Sequence, residues 1–178
     1  MGSSEMERKG AIGRTKTEDK KKPYSKASDD EKVARNWNKA IGLYEREEWS
    51  VAVLRCATCL ELMVNFVVRQ ELVTESKLPL QFVDKLLHSA NGIHNKYHNL
   101  YLPIMAQYEE HDELKRLWHQ HIATVNSERN KIAHQGEFRN RKTAEKVMEH
   151  TSVAMHYIMG LYGYGAELPA FPATNSDE

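Results

Sequence analysis

Apolar residues recur every three or four positions along most of the chain, and this spacing predicts helices. The first predicted helix, residues 29–48, follows a capping box formed by Ser28 and Glu31. The second, residues 49–72, is apolar on nearly every side, which is typical of a helix at the centre of a bundle. Pro79 begins a third, shorter helix.

The second half of the chain continues the helical pattern. Residues 91–103 are polar and rich in histidine, and they predict a connection with at most a short helix. A fourth helix begins near Glu110 and a fifth near Lys142, each with one apolar stripe. No stretch shows the alternation expected of a strand. The sequence therefore predicts an all-α fold, a bundle of four long antiparallel helices plus one shorter helix.

Charge divides the chain into three parts. The 178 residues suit one packed domain, and 25 basic residues balance 25 acidic ones overall. Residues 1–28 nevertheless hold eight Lys and Arg against four acids and almost no large apolar side chains. We therefore predict a basic disordered tail at 1–28, the helical bundle at 29–165 and an acidic disordered tail at 166–178.

The composition also indicates a compartment and excludes some site types. The absence of a secretory leader and of a long uncharged apolar run predicts a cytoplasmic protein without membrane contact. Cys56 and Cys59 lie inside the apolar second helix, so we interpret them as core thiols. The histidines lack the repeated carboxylate–histidine pattern of di-iron bundles, and we predict no metal and no cofactor.

Arg129 departs from the packing rule of the fourth helix. At 100° per residue it falls on the same stripe as Trp118, Ile122 and Val125, facing the core. A guanidinium in that position needs a partner, because a lone buried charge is very costly. Glu61, in the middle of the second helix, is the obvious candidate, and a structural ion pair between the two is one interpretation.

The residues after Arg129 suggest another interpretation. The segment Arg129-Asn130-Lys131-Ile132-Ala133-His134 combines an arginine, a polar residue directly after it and a histidine five positions later. It resembles the signature of the HEPN superfamily, a group of all-α domains of which many are RNases. The context agrees, since the motif ends the fourth helix of a chain with an apolar second helix. The resemblance spans about residues 29–165 and implies a HEPN-like bundle.

The resemblance implies a metal-independent endoribonuclease acting on RNA as a homodimer, paired through the face that bears the motif. In that mechanism the ribose 2′-OH attacks its own phosphorus and leaves a 2′,3′-cyclic phosphate. Arg129 would bind the phosphate, His134 would move protons, Asn130 would orient the ring or an oxygen, and Glu61 would support them from behind. Toxin–antitoxin, phage-defence and RNA-processing systems contain such enzymes, so an antitoxin or a nucleotidyltransferase is a candidate partner.

Helix geometry sets a condition on this site. Residues five apart on an unbroken helix point about 140° away from each other, so Arg129 and His134 would not share a pocket. Gly136 predicts that the helix ends near His134, which would free the ring to turn. A second protomer could also close the gap.

Further basic residues surround the motif. Between Arg129 and Lys146 six basic residues stand against Glu137 and Glu145, and we interpret this excess as a patch for a polyanion. The predicted substrate-binding residues are Lys131, Arg139, Arg141 and Lys142.

Two other functions stay open at this point. One is a HEPN-like bundle without catalysis that binds a nucleotide or a protein partner. The other is a plain helical bundle in which Arg129 pairs with Glu61 and His134 has no special role.

Overall fold

The structure is a computed structural model that describes residues 22–171. Within that range it contains six helices and no strand, so the predicted all-α class is confirmed. The helices are α1 (Asp29–Glu45), α2 (Trp49–Arg69, continued by the π-helical turn Gln70–Glu75), α3 (Leu80–Ser89), α4 (Gly92–Lys96, the π turn Tyr97–Tyr101 and Leu102–Met105), α5 (His111–Leu117, the π turn Trp118–Ile122 and Ala123–Gln135) and α6 (Arg141–Leu161).

The start of α1 follows from local sequence. The backbone N–H of Ser28 donates to Glu31 Oε2 over 3.0 Å, which confirms the predicted capping box. The apolar stripe of α1 is buried at Val33, Trp37 and Ala40. This stripe lies against α2, and the two helices form the largest helix–helix contact of the bundle.

Helix α2 forms the centre of the bundle. It packs against α1, α6 and the second half of α5. Among the described residues, Trp49–Glu75 is the one segment long and apolar enough to cross a membrane, and 56% of its most apolar window is buried inside the protein. This placement is that of a core helix, as its sequence predicts.

The two cysteines of α2 are part of this core. Cys56 and Cys59 are free thiols with no exposed surface. Burial raises the pKa of Cys56 to about 12 and raises that of Cys59 well above its usual value. The prediction of core thiols is therefore confirmed.

Residues 91–103 were predicted as a polar connection, and that prediction is wrong. They lie in α4, where Tyr97 and Tyr101 are completely buried. The Tyr97 hydroxyl donates to the Leu114 carbonyl over 2.8 Å, and its ring lies 5.2 Å from that of Trp118. The bundle therefore has one more helix than predicted, because the tyrosines supply the apolar contacts that the hydropathy pattern does not show.

The packed domain also extends beyond its predicted limits of 29 and 165. Before α1, Ala27 is buried and the Lys22 carbonyl accepts from Arg35 Nη1 over 2.9 Å. After α6, Trp37 Nε1 donates to the Pro169 carbonyl over 2.7 Å, and Leu168 and Phe171 are buried. The remaining parts of the predicted tails, 1–21 and 172–178, lie outside the described residues.

Candidate active site

The motif occupies the C-terminal end of α5. The helix ends at Gln135, and Gly136 follows in the left-handed conformation with a φ of 67°. The Gly136 N–H donates to the Ile132 carbonyl over 3.2 Å, which closes the last turn. The predicted helix end is confirmed, although His134 still lies within the helix.

Arg129 and His134 meet within one chain. Arg129 Nη1 lies 3.3 Å from His134 Nε2 and 2.9 Å from Asn130 Oδ1. The prediction that an unbroken helix would keep the two side chains apart is wrong. The Cβ atoms point in different directions, but the arginine side chain is long enough to follow the helix surface to the imidazole.

This contact constrains the hydrogen-bonding roles of the histidine. A guanidinium has only donors, so a hydrogen bond across the contact has His134 Nε2 as its acceptor and the ring proton on Nδ1. In that arrangement the Nε2 lone pair is directed at a permanent cation. His134 is exposed and Arg129 is half-buried, so this pair lies at the protein surface. The sequence predicted instead a guanidinium that faces the core.

Glu61 does not form the predicted ion pair with Arg129. Its Oε1 accepts from Lys96 Nζ over 2.7 Å, and only 8% of Lys96 is exposed. Glu61 and Arg129 do line the same small cavity of about 100 Å³, together with Thr58 and Asn126. The carboxylate is already matched by a buried ammonium, and this leaves the guanidinium to Asn130 and His134.

Two of the four predicted substrate-binding cations are paired with Glu128. Lys131 Nζ lies 2.8 Å from Glu128 Oε1, and Arg139 Nε lies 2.5 Å from Glu128 Oε2. Arg139 also pairs with Glu137 over 2.8 Å. Burial would raise the pKa of Glu128, but the hydrogen bond from Lys131 and the charge of Arg139 outweigh it and lower that pKa.

The other two predicted cations have a different setting. Arg141 and Lys142 are exposed on the first turn of α6. The Asn140 side chain caps this turn by accepting from the Thr143 N–H over 3.0 Å. The predicted patch is thus divided into a paired half around Glu128 and an exposed half on α6.

Glu128 and Phe138 were not identified from the sequence. Glu128 directly precedes Arg129 and lies three residues before Lys131, a spacing that favours an ion pair on a helix. Phe138 is 91% exposed in the loop between α5 and α6. A large apolar residue in a polar loop was the available signal for it.

Two histidines on the neighbouring helix surface form a separate pair. His121 Nδ1 lies 2.8 Å from His150 Nδ1, and both rings are half-buried between α5 and α6. Burial lowers the pKa of both, and the charges of His121 and Lys146 lower that of His150 further. Within residues 22–171 no three His, Cys, Asp or Glu side chains are grouped so as to hold a metal ion.

The contacts of Arg129, Asn130 and His134 thus come from a single helix end, with Glu128 and Phe138 beside them. Comparisons of the chain with protein-family profiles, with curated proteins and with solved structures gave no match.

Proposed function

We propose that this chain is a metal-independent endoribonuclease of the HEPN type that cuts RNA by attack of the ribose 2′-OH. The observation that carries the proposal is the 3.3 Å contact between Arg129 Nη1 and His134 Nε2. It combines a permanent cation and an imidazole at one position on the protein surface. These are the two groups that metal-free cleavage of a phosphodiester requires.

Arg129 is suited to hold the phosphate. Both of its hydrogen bonds to Asn130 and His134 go through Nη1. Its Nε and Nη2 make no hydrogen bond with the described residues, so donors remain for the non-bridging oxygens. Asn130 supports the guanidinium through a neutral amide, which leaves the positive charge in place.

His134 is suited to begin the reaction. When a phosphate draws the guanidinium away, the lone pair of Nε2 is no longer hydrogen-bonded and accepts the proton of the 2′-OH. The 2′-oxygen then bonds to phosphorus, the bond from phosphorus to the 5′-oxygen breaks, and that oxygen takes up a proton. Arg129 stabilises the negative charge that grows on the phosphoryl oxygens in between.

The leaving 5′-oxygen needs a second proton carrier, because one histidine does not serve as base and acid at once. A homodimer paired through the motif-bearing face supplies the second His134. Phe138, 91% exposed beside the motif, fits an anchor that becomes buried at such an interface.

Cleavage of RNA in EDTA tests the reaction. We expect a 2′,3′-cyclic phosphate at the cut, no cleavage of DNA, and a loss of rate of about 10²–10⁴ in His134→Gln. Arg129→Gln should be similarly impaired. Arg116→Gln and His119→Gln are matched controls, since both residues are exposed on α5 away from the motif. A requirement for Mg²⁺, or full activity in both motif variants, contradicts the proposal.

The dimer has its own test. We expect a two-subunit mass for the parent by light scattering, and a shift to monomer with loss of cleavage in Phe138→Ser. Phe82→Ser on α3, where the ring is 50% exposed, should keep the parent's mass and activity. A monomeric parent that cleaves RNA contradicts the two-histidine mechanism.

A second candidate function is a non-catalytic HEPN-like module that binds a nucleotide or a protein partner, for which an antitoxin or a nucleotidyltransferase is the candidate. The pairing of Lys131 and Arg139 with Glu128 favours it, because that pairing weakens the positive surface expected of an RNA enzyme. A folded parent that cleaves no RNA in the assay above selects this alternative.

A further inference from the structure

An open cavity of about 380 Å³ lies between α1 and α2, apart from the motif. Three cations line it: Arg35 and Lys39 from α1 and Arg55 from α2. Among the described residues, no carboxylate lies within 4.0 Å of the charged nitrogens of Lys39 or Arg55. Like charges gathered without counter-charges raise the local positive potential and attract anions.

Arg35 also keeps most of its positive charge. Its Nη1 donates to a neutral group, the Lys22 carbonyl, over 2.9 Å. The nearby Glu31 carboxylate is bound by the Ser28 N–H and by Lys22, whose Nζ lies 3.3 Å away. These two groups lower the pKa of Glu31, and the charge of Arg35 contributes least to that shift. The cavity therefore keeps most of the charge of its three cations.

Arg55 is held in place by neutral groups. Its Nη1 donates to Asn36 Oδ1 over 2.8 Å, and only 5% of Asn36 is exposed. The Asn36 Nδ2 in turn donates to the Lys32 carbonyl over 2.8 Å and to the Tyr24 hydroxyl over 2.9 Å. A buried amide fixes the guanidinium without cancelling its charge, and a positioned cation of this kind binds phosphate oxygens well.

The cavity shares a lining residue with the smaller cavity that Arg129 lines. Thr58 lines both this cavity and the smaller one that contains Arg129. Arg55 and Thr58 are three residues apart on α2 and so lie on the same face of that helix. Arg129 on one side, and Arg55 and Lys39 on the other, thus line two cavities that have Thr58 of α2 in common.

We propose that the cavity between α1 and α2 is a second phosphate subsite, which binds a phosphodiester of the RNA strand whose cleaved phosphate lies at Arg129. Arg55 offers paired donors to two phosphate oxygens, and Lys39 supplies a point charge at the rim. Tyr24, 50% exposed at the same cavity, presents a ring on which a base stacks. The identity of the strand rests on the proposed function.

Salt dependence of binding tests the subsite. The probe is a single-stranded RNA with 2′-O-methyl riboses, which binds without being cut, and the readout is its anisotropy over a range of KCl concentrations. The slope of log affinity against log salt changes by about 0.7 for each phosphate of a single strand that the protein no longer neutralises. We expect Arg55→Gln and Lys39→Gln each to flatten the slope by that amount. Lys85→Gln, an exposed cation on α3, should leave it unchanged.

The outcomes separate this proposal from the nuclease. Slopes in both variants equal to the parent's overturn the subsite, even where the parent cleaves RNA. Flattened slopes with a parent that never cleaves support the subsite and reject the nuclease. Thermal melts of the variants confirm that they are folded.

A competition arm identifies the source of the phosphate. We expect adenosine diphosphate to bind about tenfold more weakly than the RNA probe, because it reaches only one of two linked subsites. Equal or tighter binding of adenosine diphosphate shows that the cavity takes a free nucleotide and overturns the assignment to a strand.

Discussion

The end of α5 with the loop that follows it and the cavity between α1 and α2 are both rich in cations, but the two regions differ in how far carboxylates offset that charge. In the first region, Lys131 of α5 and Arg139 of the loop both pair with the carboxylate of Glu128. In the cavity, Arg55 is held by the neutral amide of Asn36, and Lys39 has no carboxylate partner among residues 22–171. A count of basic residues along the chain therefore does not locate the positive field. The field also depends on which of those residues are paired with carboxylates in the folded protein.

The difference suggests a division of labour. Ion pairs hold the loop in one geometry, and the Arg139 N–H fixes it further by donating to Ser50 Oγ over 2.8 Å. Precise geometry is what the reacting groups of the proposed nuclease would need. The cavity retains its charge, and retained charge serves attraction and binding of a polyanion.

The sharpest test of this division compares two variants by steady-state kinetics. We expect His134→Gln to lower kcat by about 10²–10⁴, because it removes the proton acceptor. Arg55→Gln should raise KM and leave kcat near the parent's value, because it removes a contact made equally in the ground and transition states. Equal losses of kcat in both variants would show that the two regions act as one catalytic unit.

Glu128→Gln should make the end of α5 and its loop resemble the cavity, because it removes the carboxylate that pairs with Lys131 and Arg139. It leaves Lys131 without a carboxylate and Arg139 with Glu137 alone, so the salt slope of RNA binding should steepen, by about 0.7 for each additional phosphate that the protein neutralises. The lost pairing should lower Tm by roughly 2–4 °C, corresponding to about 1 kcal/mol in a domain of this size. Glu113→Gln, which removes the exposed pair with Arg116, is the control and should change neither quantity beyond error.

Acid creates a third region of unpaired charge at His121 and His150. Burial lowers the pKa of both rings from the usual 6.5, so the unfolded chain takes up protons before the folded one does. Stability is then full above about pH 6.5 and falls as the pH falls below it.

Urea unfolding at pH 7.5 and pH 5 measures this loss. His121→Gln should reduce the difference in the free energy of unfolding between the two pH values. His88→Gln, at an exposed position on α3, should retain the parent's difference. A pH response unchanged by His121→Gln would mean that other groups control it.

The smallest effect on the cleavage rate is expected for Glu61→Gln. Arg129 contacts Asn130 and His134 rather than Glu61, so the cleavage rate should stay within about twofold of the parent's. Lys96 would keep an amide oxygen as its acceptor but lose its counter-charge, so Tm should fall. A loss of rate as large as that of Arg129→Gln would show that the carboxylate belongs to the site after all.

Features set by local sequence were predicted well. The capping box at Ser28, the helix end at Gly136 and the buried face of α2 depend on residues within a turn or two of each other. The motif residues were proposed from the same short range of sequence. Their contact was not, because a helical wheel places only the Cβ and ignores how far an arginine reaches.

Features set by distant residues were missed. Helix α4 looked polar because Lys96 is buried only through Glu61, which lies 35 residues earlier in the chain. The pairing of Arg139 with Glu128 requires the loop to fold back on α5. The cavity between α1 and α2 likewise depends on Asn36, whose amide joins Arg55 to residues far away in sequence.

The thiols enclosed in α2 have a practical consequence. The thiolate is the form that reacts with maleimides, and burial raises the pKa of Cys56 to about 12 and that of Cys59 also far above normal. The folded native chain should therefore resist such labels with both cysteines left in place. A cysteine introduced at an exposed position such as Lys85 would carry a fluorophore by itself, and RNA could then be followed as it approaches the protein.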